Sequence, residues 1–197
     1  MNIKNFGEFS SKGIPCILFV GPPGCGKGTQ SEILSEKTGF LHVSTGEILR
    51  NSKSPKIKKM MATGELLPDA IVDSELENFI KENLDCPGFI FDGYPRNIKQ
   101  KFFLEEICDE NGLEIINIFF LNVPEKQLKE RIKERSKSSG RKDDSDPEAF
   151  QRRMDEYHEK TQPMIKSLKK LKGFHEIDGN LELEEISEKI FDNMGEI

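Results

Sequence analysis

Ten residues, Gly21-Pro22-Pro23-Gly24-Cys25-Gly26-Lys27-Gly28-Thr29-Gln30, constrain this chain more than any others. They follow the apolar run Ile14–Val20 and precede a helical pattern. A buried strand that breaks into a glycine-rich turn and then opens a helix aims several backbone N–H groups, and the positive end of the helix dipole, at one point. That point attracts an anion. Glycine is required where the loop curls through positive φ and where phosphate oxygens approach the backbone without a Cβ in the way. Lys27 then reaches terminal phosphates as a mobile point charge. Such a turn can also be a plain connection, but the buried strand before it and the lysine in register favour the phosphate cradle. The pattern G-x-x-x-x-G-K-[ST] holds from Gly21 to Lys27 and then departs, with Gly28 in the hydroxyl position and Thr29 one residue later. Without that hydroxyl, Mg²⁺ is expected to be held loosely, through phosphates and water.

Length and charge narrow what the cradle can serve. A chain of 197 residues has room for one α/β domain, with small inserted subdomains at most. A net charge of −6, with charged residues at 32%, provides no global basic field for nucleic acid or an anionic membrane. The longest apolar run falls short of the roughly 20 residues a membrane span needs. Residues 1–13 are polar, have no periodic pattern and read as a flexible extension, so a cytoplasmic protein is expected. Cys16, Cys25, Cys86 and Cys108 form no C-x-x-C pair and have no histidine at ligand spacing, which suggests neither a zinc site nor a disulfide framework. Cys16 reads as a small core residue. Cys25, within the loop, is expected to be accessible.

Taken in order, the chain alternates strand and helix signals. Ile33 and Leu34 mark a short helix that Gly39 ends. Phe40-Leu41-His42-Val43 reads as a second strand delivering Ser44-Thr45-Gly46-Glu47 at its carboxyl end, where open parallel sheets bind ligands. Ser44 and Glu47 have capping-box spacing, so this stretch is either simply a helix start over Thr45 to Arg50 or, in addition, a face for a second ligand. Lys53 to Thr63 reads as a solvated helical face. Gly64 to Pro68 is a turn, and Pro68 begins a helix with Val72, Leu76 and Phe79 spaced for burial.

Gly88 to Arg96 reads as a strand ending in Asp92, followed by a rigid turn shaped by Gly93 and Pro95, from which Arg96 projects. An aspartate at such a strand end can orient Mg²⁺ and its waters across from the phosphate loop. Ile115 to Leu121 is a continuous apolar run suited to a parallel strand buried on both faces. Pro124 then starts a helix with Arg131 and Arg135 at i and i+4 and with Leu128 and Ile132 toward the core. Ser136 to Ser145 holds no apolar residue. Asp146 and Pro147 restart a helix whose Phe150, Met154 and Tyr157 repeat at helical spacing, and a strand at Phe174 to Ile177 and a helix from Glu182 to Asn193 close the chain. His42, His158 and His175 are dispersed and receive no catalytic role.

With Gly21 to Gln30, Ser44 to Arg50, Phe91 to Arg96 and Ser139 to Asp144 in order, the sequence from Ile14 to Asn193 resembles the nucleoside monophosphate kinases. It is most similar to the short-lid adenylate kinases and the UMP/CMP kinases. The resemblance implies an α/β P-loop nucleotide kinase fold: a five-stranded parallel sheet with helices on both faces, a monophosphate-binding flap at 44–73 and a short lid at 136–146. It also implies Mg²⁺-dependent transfer of the γ-phosphoryl group of ATP to a nucleoside monophosphate, by a monomer. Gly24, Cys25, Gly26, Lys27, Gly28 and Thr29 would hold the ATP phosphates, with Arg135 at the lid hinge, Arg131 near the adenine and Leu181 as a backbone contact. Thr45, Arg50, Glu65, Leu66, Leu67, Gly93, Tyr94, Pro95, Arg96 and Gln100 would receive the acceptor. Arg141 and Arg153 would swing in with the lid beside the acidic pair Asp143 and Asp144. The catalytic set is Lys27, Asp92, Arg96, Arg135, Arg141 and Arg153, with Asp92 binding Mg²⁺ through water and no direct protein ligand to a metal.

Thr45 and Gln100 match positions that adenylate kinases use for AMP, whereas UMP/CMP kinases carry a smaller residue and an asparagine there; the lid segment Lys137 to Arg141 looks more like the UMP/CMP branch. AMP is the favoured acceptor and UMP or CMP the alternative. A non-catalytic nucleotide-binding regulator is the more remote reading, because a pure binder has no need of lid arginines. The segment Asn51 to Thr63 is several residues shorter than either branch usually carries, and the lid lacks the cysteines with which some long-lid relatives bind zinc.

Overall fold

The computed structural model describes residues 13–63, 67–137 and 146–194. Five strands form one sheet: β1 (Ile14–Val20), β2 (Leu41–Ser44), β3 (Phe89–Asp92), β4 (Leu113–Asn122) and β5 (Phe174–Asp178). Their order across the sheet is β2-β3-β1-β4-β5, and every neighbouring pair is parallel. The continuous apolar runs are explained by this arrangement, since a parallel strand covered by helices on both sides has no face to give to water. Ile17, Phe19, Phe89, Ile90, Phe91 and Phe119 are fully buried.

Nine helices lie among the described residues. They are α1 (Lys27–Thr38), α2 (Thr45–Asn51), α3 (Pro55–Thr63), α4 (Asp69–Lys81), α5 (Ile98–Asn111), α6 (Glu125–Ser136), α7 (Pro147–Glu156), α8 (Gln162–Leu168) and α9 (Leu183–Asn193). α1, which steps from β1 to the far edge, packs beside α9, while α4 and α8 each pack on α5, as right-handed crossovers onto opposite faces of the sheet require. Gln30, at the end of the glycine-rich stretch, ties the first pair together. Its amide donates to Leu183 O (3.2 Å) and accepts from Ser187 Oγ (2.9 Å) inside the core. None of the described helices is long and apolar enough to cross a membrane.

Several boundaries differ from the sequence reading for physical reasons. β2 runs into α2 with no loop between them, so Ser44 is still paired in the sheet opposite Asp92. Its hydroxyl makes no capping hydrogen bond, and the expected capping box is not formed there. The corresponding box does close α9, where Glu182 and Glu185 cap each other's backbone. On α4 the fully buried residues are Leu76 and Ile80, while Val72 and Phe79 are half-buried against the core. A π-helical turn, Tyr157–Thr161, joins α7 to α8. Of the extension assigned to 1–13 only Gly13 is described; the lid at 136–146 is described only at 136, 137 and 146.

Candidate active site

The strand ends place the glycine-rich loop, Asp92 and the turn after Asp92 together. β1 ends at Val20, and the chain passes through positive φ at Gly21 (149°), Gly24 (83°) and Gly26 (101°) before α1 begins. A side chain on Gly21 would collide with Leu121 O, 2.7 Å away, and with Cys25 Sγ at 2.8 Å. The loop therefore curls tightly over the end of β4. Inside the curl the Lys27 ammonium donates to Gly21 O and Pro22 O, both at 2.9 Å. Cys25 is buried, contrary to the expected accessibility, because the same curl turns its side chain beneath the loop, 3.5 Å from Lys27 Nζ.

Gly28 faces Asp92. A β-carbon there would lie 3.3 Å from Asp92 Oδ2, so the position that usually carries a hydroxyl is closed up against a carboxylate. Asp92 is 16% exposed and has His42 Nε2 at 3.7 Å. Burial pushes its pKa up, but His42, Lys27 and Arg96 together outweigh this and hold the carboxyl below its usual 3.8. His42 was the residue sequence reasoning passed over. Its signal was its place near the end of β2, beside the strand that carries Asp92.

The turn after β3 holds the second group of residues. Gly93 adopts φ 74°, and the Tyr94–Pro95 peptide is cis. Gly93 O accepts from Arg96 Nε (2.7 Å) and Thr45 Oγ1 (3.3 Å), bringing two of the expected acceptor residues to one carbonyl. Although the open cleft leaves Arg96 exposed, the protein walls around it and the Arg153 guanidinium draw its pKa down, against Asp92 and Glu156. It stays protonated, as arginines do. Thr161 in the π-helical turn donates to Arg96 O at 2.7 Å, a positioning contact the sequence did not reveal. Gln100 is buried, accepts from Arg96 N (2.8 Å) and donates to Asp69 Oδ1 (2.7 Å). The Arg50 guanidinium lies over Gly46, 3.3 Å from where its β-carbon would be. The Tyr94 ring is buried and its hydroxyl donates to Asp73 Oδ1 (2.7 Å), so only the backbone of this residue can line a site.

On the other side of the loop a cleft of about 380 Å³ is lined by Gly24, Cys25, Gly26 and Thr29 together with Arg131, Arg135 and Leu181. These are the residues expected to hold ATP, apart from Lys27 and Gly28. Arg131 also donates to Gly179 O at 2.8 Å, which fixes the turn before Leu181 against α6. Leu67 precedes α4; Glu65, Leu66, Arg141, Asp143 and Asp144 lie outside the described residues. Among the described residues no group of three or more His, Cys, Asp or Glu side chains is arranged to hold a metal. A phosphate loop without its hydroxyl, faced by one ionised aspartate, suits a divalent ion that arrives on nucleotide phosphates and keeps its water.

The parallel sheet, the lysine-bearing loop and the arginines facing it define a P-loop nucleotide-binding protein. The adenylate kinase family model matches residues 19–172. Among similar proteins, an adenylate kinase of Flavobacterium psychrophilum is 38% identical over 180 residues, covering 88% of this chain and 95% of the relative. One from Prochlorococcus marinus is 39% identical over 185 residues (90% and 97%), and one from Leptospira biflexa 38% over 181 (88% and 96%). The chain belongs to the adenylate kinase family.

Proposed function

We propose that the protein catalyses reversible, Mg²⁺-dependent phosphoryl transfer from ATP to AMP, giving two ADP, as a cytoplasmic monomer with 44–73 as acceptor flap and 136–146 as lid. The observation that carries this reading is that three features adjoin along the phosphate loop, with Asp92 facing Gly28 on one side and the cleft opening on the other. The three features are the Lys27 loop, the cleft lined by Arg131 and Arg135, and the Arg96–Thr45–Gln100 group.

In the proposed reaction an acceptor phosphate oxygen attacks the γ-phosphorus. The bond from that phosphorus to the β–γ bridging oxygen breaks, and ADP leaves. No proton need move in the transfer step, so positioning and charge stabilisation are nearly the whole task. Lys27 and Arg135 neutralise the transferring group from the donor side, while Arg50 and Arg96 hold the acceptor phosphate and Arg153 joins as the lid closes; each charge-assisted hydrogen bond contributes roughly 1.5–3 kcal/mol. Bound Mg²⁺ would supply charge neutralisation to the nucleotide phosphates, and Asp92 would hold it through water. Closure of the lid, bringing Arg141, excludes water that would otherwise hydrolyse ATP. Glu65, Leu66 and Leu67 complete the acceptor flap in this reading, with Arg50.

A coupled assay of ADP formation with AMP, UMP, CMP and GMP tests the proposal. AMP is expected to give the highest kcat/KM. Faster turnover of CMP or UMP overturns the choice of acceptor, and ATP binding without transfer to any monophosphate overturns the activity.

A further inference from the structure

Gln100 is held at both ends of its amide. The Arg96 backbone N–H lies 2.8 Å from one terminus and a carboxylate oxygen of Asp69 2.7 Å from the other. An N–H can only donate and a carboxylate can only accept, so the first terminus is the oxygen and the second the nitrogen. The chemistry of the two neighbours thus forbids the flipped amide. Asp69 is itself fixed, since both its oxygens accept from Asn97 Nδ2 at 3.1 Å. Asn97 in turn caps α5, its Oδ1 accepting from Gln100 N at 2.9 Å. The first residue of α4 and the first turn of α5 are locked together around one buried amide.

We propose that Asp69 is a specificity-determining positioning residue: by locking the Gln100 amide in one orientation, it makes the acceptor pocket favour a 6-amino purine over a 6-oxo purine. This rests on the acceptor reading above, in which Gln100 meets the base. The two grips use one N–H and one lone pair of the amide, leaving one donor on Nε2 and one acceptor on Oε1. Adenine offers the complement, an N6–H donor beside the N1 acceptor; hypoxanthine and guanine offer an O6 acceptor beside an N1–H donor, and need the flipped amide. A free glutamine would turn to suit either. A gripped one leaves the oxo purine facing two mismatched groups, and a site built to hydrogen-bond one pattern rejects the other strongly.

The test compares AMP with IMP, which differ only at this edge, in wild type and in Asp69→Asn. The wild type is expected to prefer AMP in kcat/KM by roughly a thousandfold. In Asp69→Asn the carboxamide can present N–H to Gln100, so only the Arg96 N–H still opposes the flip. The AMP:IMP ratio is expected to fall about tenfold, the size of one hydrogen bond, through a higher KM for AMP and a lower one for IMP, with KM for ATP unchanged. A ratio unchanged in the folded variant overturns the role of Asp69 alone. A wild type that does not phosphorylate AMP overturns the acceptor reading, and this proposal with it. Should the variant fail to fold, NMR of the wild-type side-chain amides decides. Slow exchange of the Gln100 Nε2 protons, shifted by AMP and not by IMP, supports the lock, and rapid exchange in the ligand-free protein refutes it.

Discussion

Replacing Gly28 by alanine separates the shape of the phosphate loop from the stability of the helix it opens. The added β-carbon would lie 3.3 Å from Asp92 Oδ2, its one neighbour within 4 Å outside the local helix. Gly28 is the second residue of α1, where alanine is favoured over glycine by up to about 1 kcal/mol. Against this, the carboxylate must give way by a few tenths of an ångström, at about 0.5–1.5 kcal/mol for a side chain pushed off its rotamer. The two effects nearly cancel. Stability should stay within about 1 kcal/mol of wild type, less than about 4 °C in Tm for a chain of this size. Catalysis has no such compensation, because the displaced group is the one proposed to orient the metal's water. Since a misplacement of about 1 Å costs about a hundredfold, a shift of a few tenths is expected to lower kcat about tenfold. A coupled ADP assay at saturating nucleotide and Mg²⁺, alongside thermal unfolding followed by circular dichroism, reads both quantities. Wild-type kcat in Gly28→Ala would refute the reasoning, since the fit of Asp92 against the loop would then not matter. A Tm loss above about 8 °C would refute it differently, by showing that the glycine serves the fold.

Two further substitutions probe the groups beneath the site. The lowered pKa of Asp92 gives the folded state stability that is present above the unfolded value of 3.8 and lost as pH falls through the folded one. His42→Gln removes the neighbouring imidazole that lowers that pKa, so the acid limbs of both Tm and kcat are expected to begin at higher pH, measured from pH 3 to 6; unmoved limbs would show that His42 does not act on Asp92. Asp73 has the opposite sign, its pKa raised chiefly by burial and held back by the Tyr94 hydrogen bond. Tyr94→Phe is expected to cost about 1–3 kcal/mol at pH 7 by leaving that carboxylate unpaired, and to cost less as pH falls toward 4 and the carboxyl protonates, as denaturant melts at several pH values will show. A penalty independent of pH would point to packing alone.

What could be read from the sequence was local. The apolar runs of β1, β3 and β4, the glycine-rich curl, and Asp92 at a strand end each announce themselves within ten residues. α5 did not. Its inward positions include Gln100 as well as Leu104, Ile107 and Cys108, while Phe102 is 61% exposed, so the apolar period that marks a helix is broken on both faces. The polar contacts that hold the candidate site were hidden for a related reason. Asp69 meets Gln100 across 31 residues and Thr161 meets Arg96 across 65, distances over which spacing carries no signal. Ser44 and Glu47 show the converse, a local pattern overridden because the strand does not release Ser44.

These hidden contacts bear on how a short flap could coexist with the proposed acceptor site. Gly93, Arg96 and Gln100 follow β3, a central strand with buried phenylalanines, and are anchored from below by Asp69, Asn97 and Thr161. None of those anchors belongs to 51–63, the segment that the family resemblance reads as short. Gln100 and Arg96, the groups proposed to meet the acceptor base and phosphate, therefore take their geometry from α4, α5 and the π-helical turn. Shortening the flap removes cover over the acceptor while leaving the groups proposed to recognise it fixed to the core. On this argument a shorter flap acts on how fast the acceptor enters and leaves, and selectivity stays with the Gln100 lock.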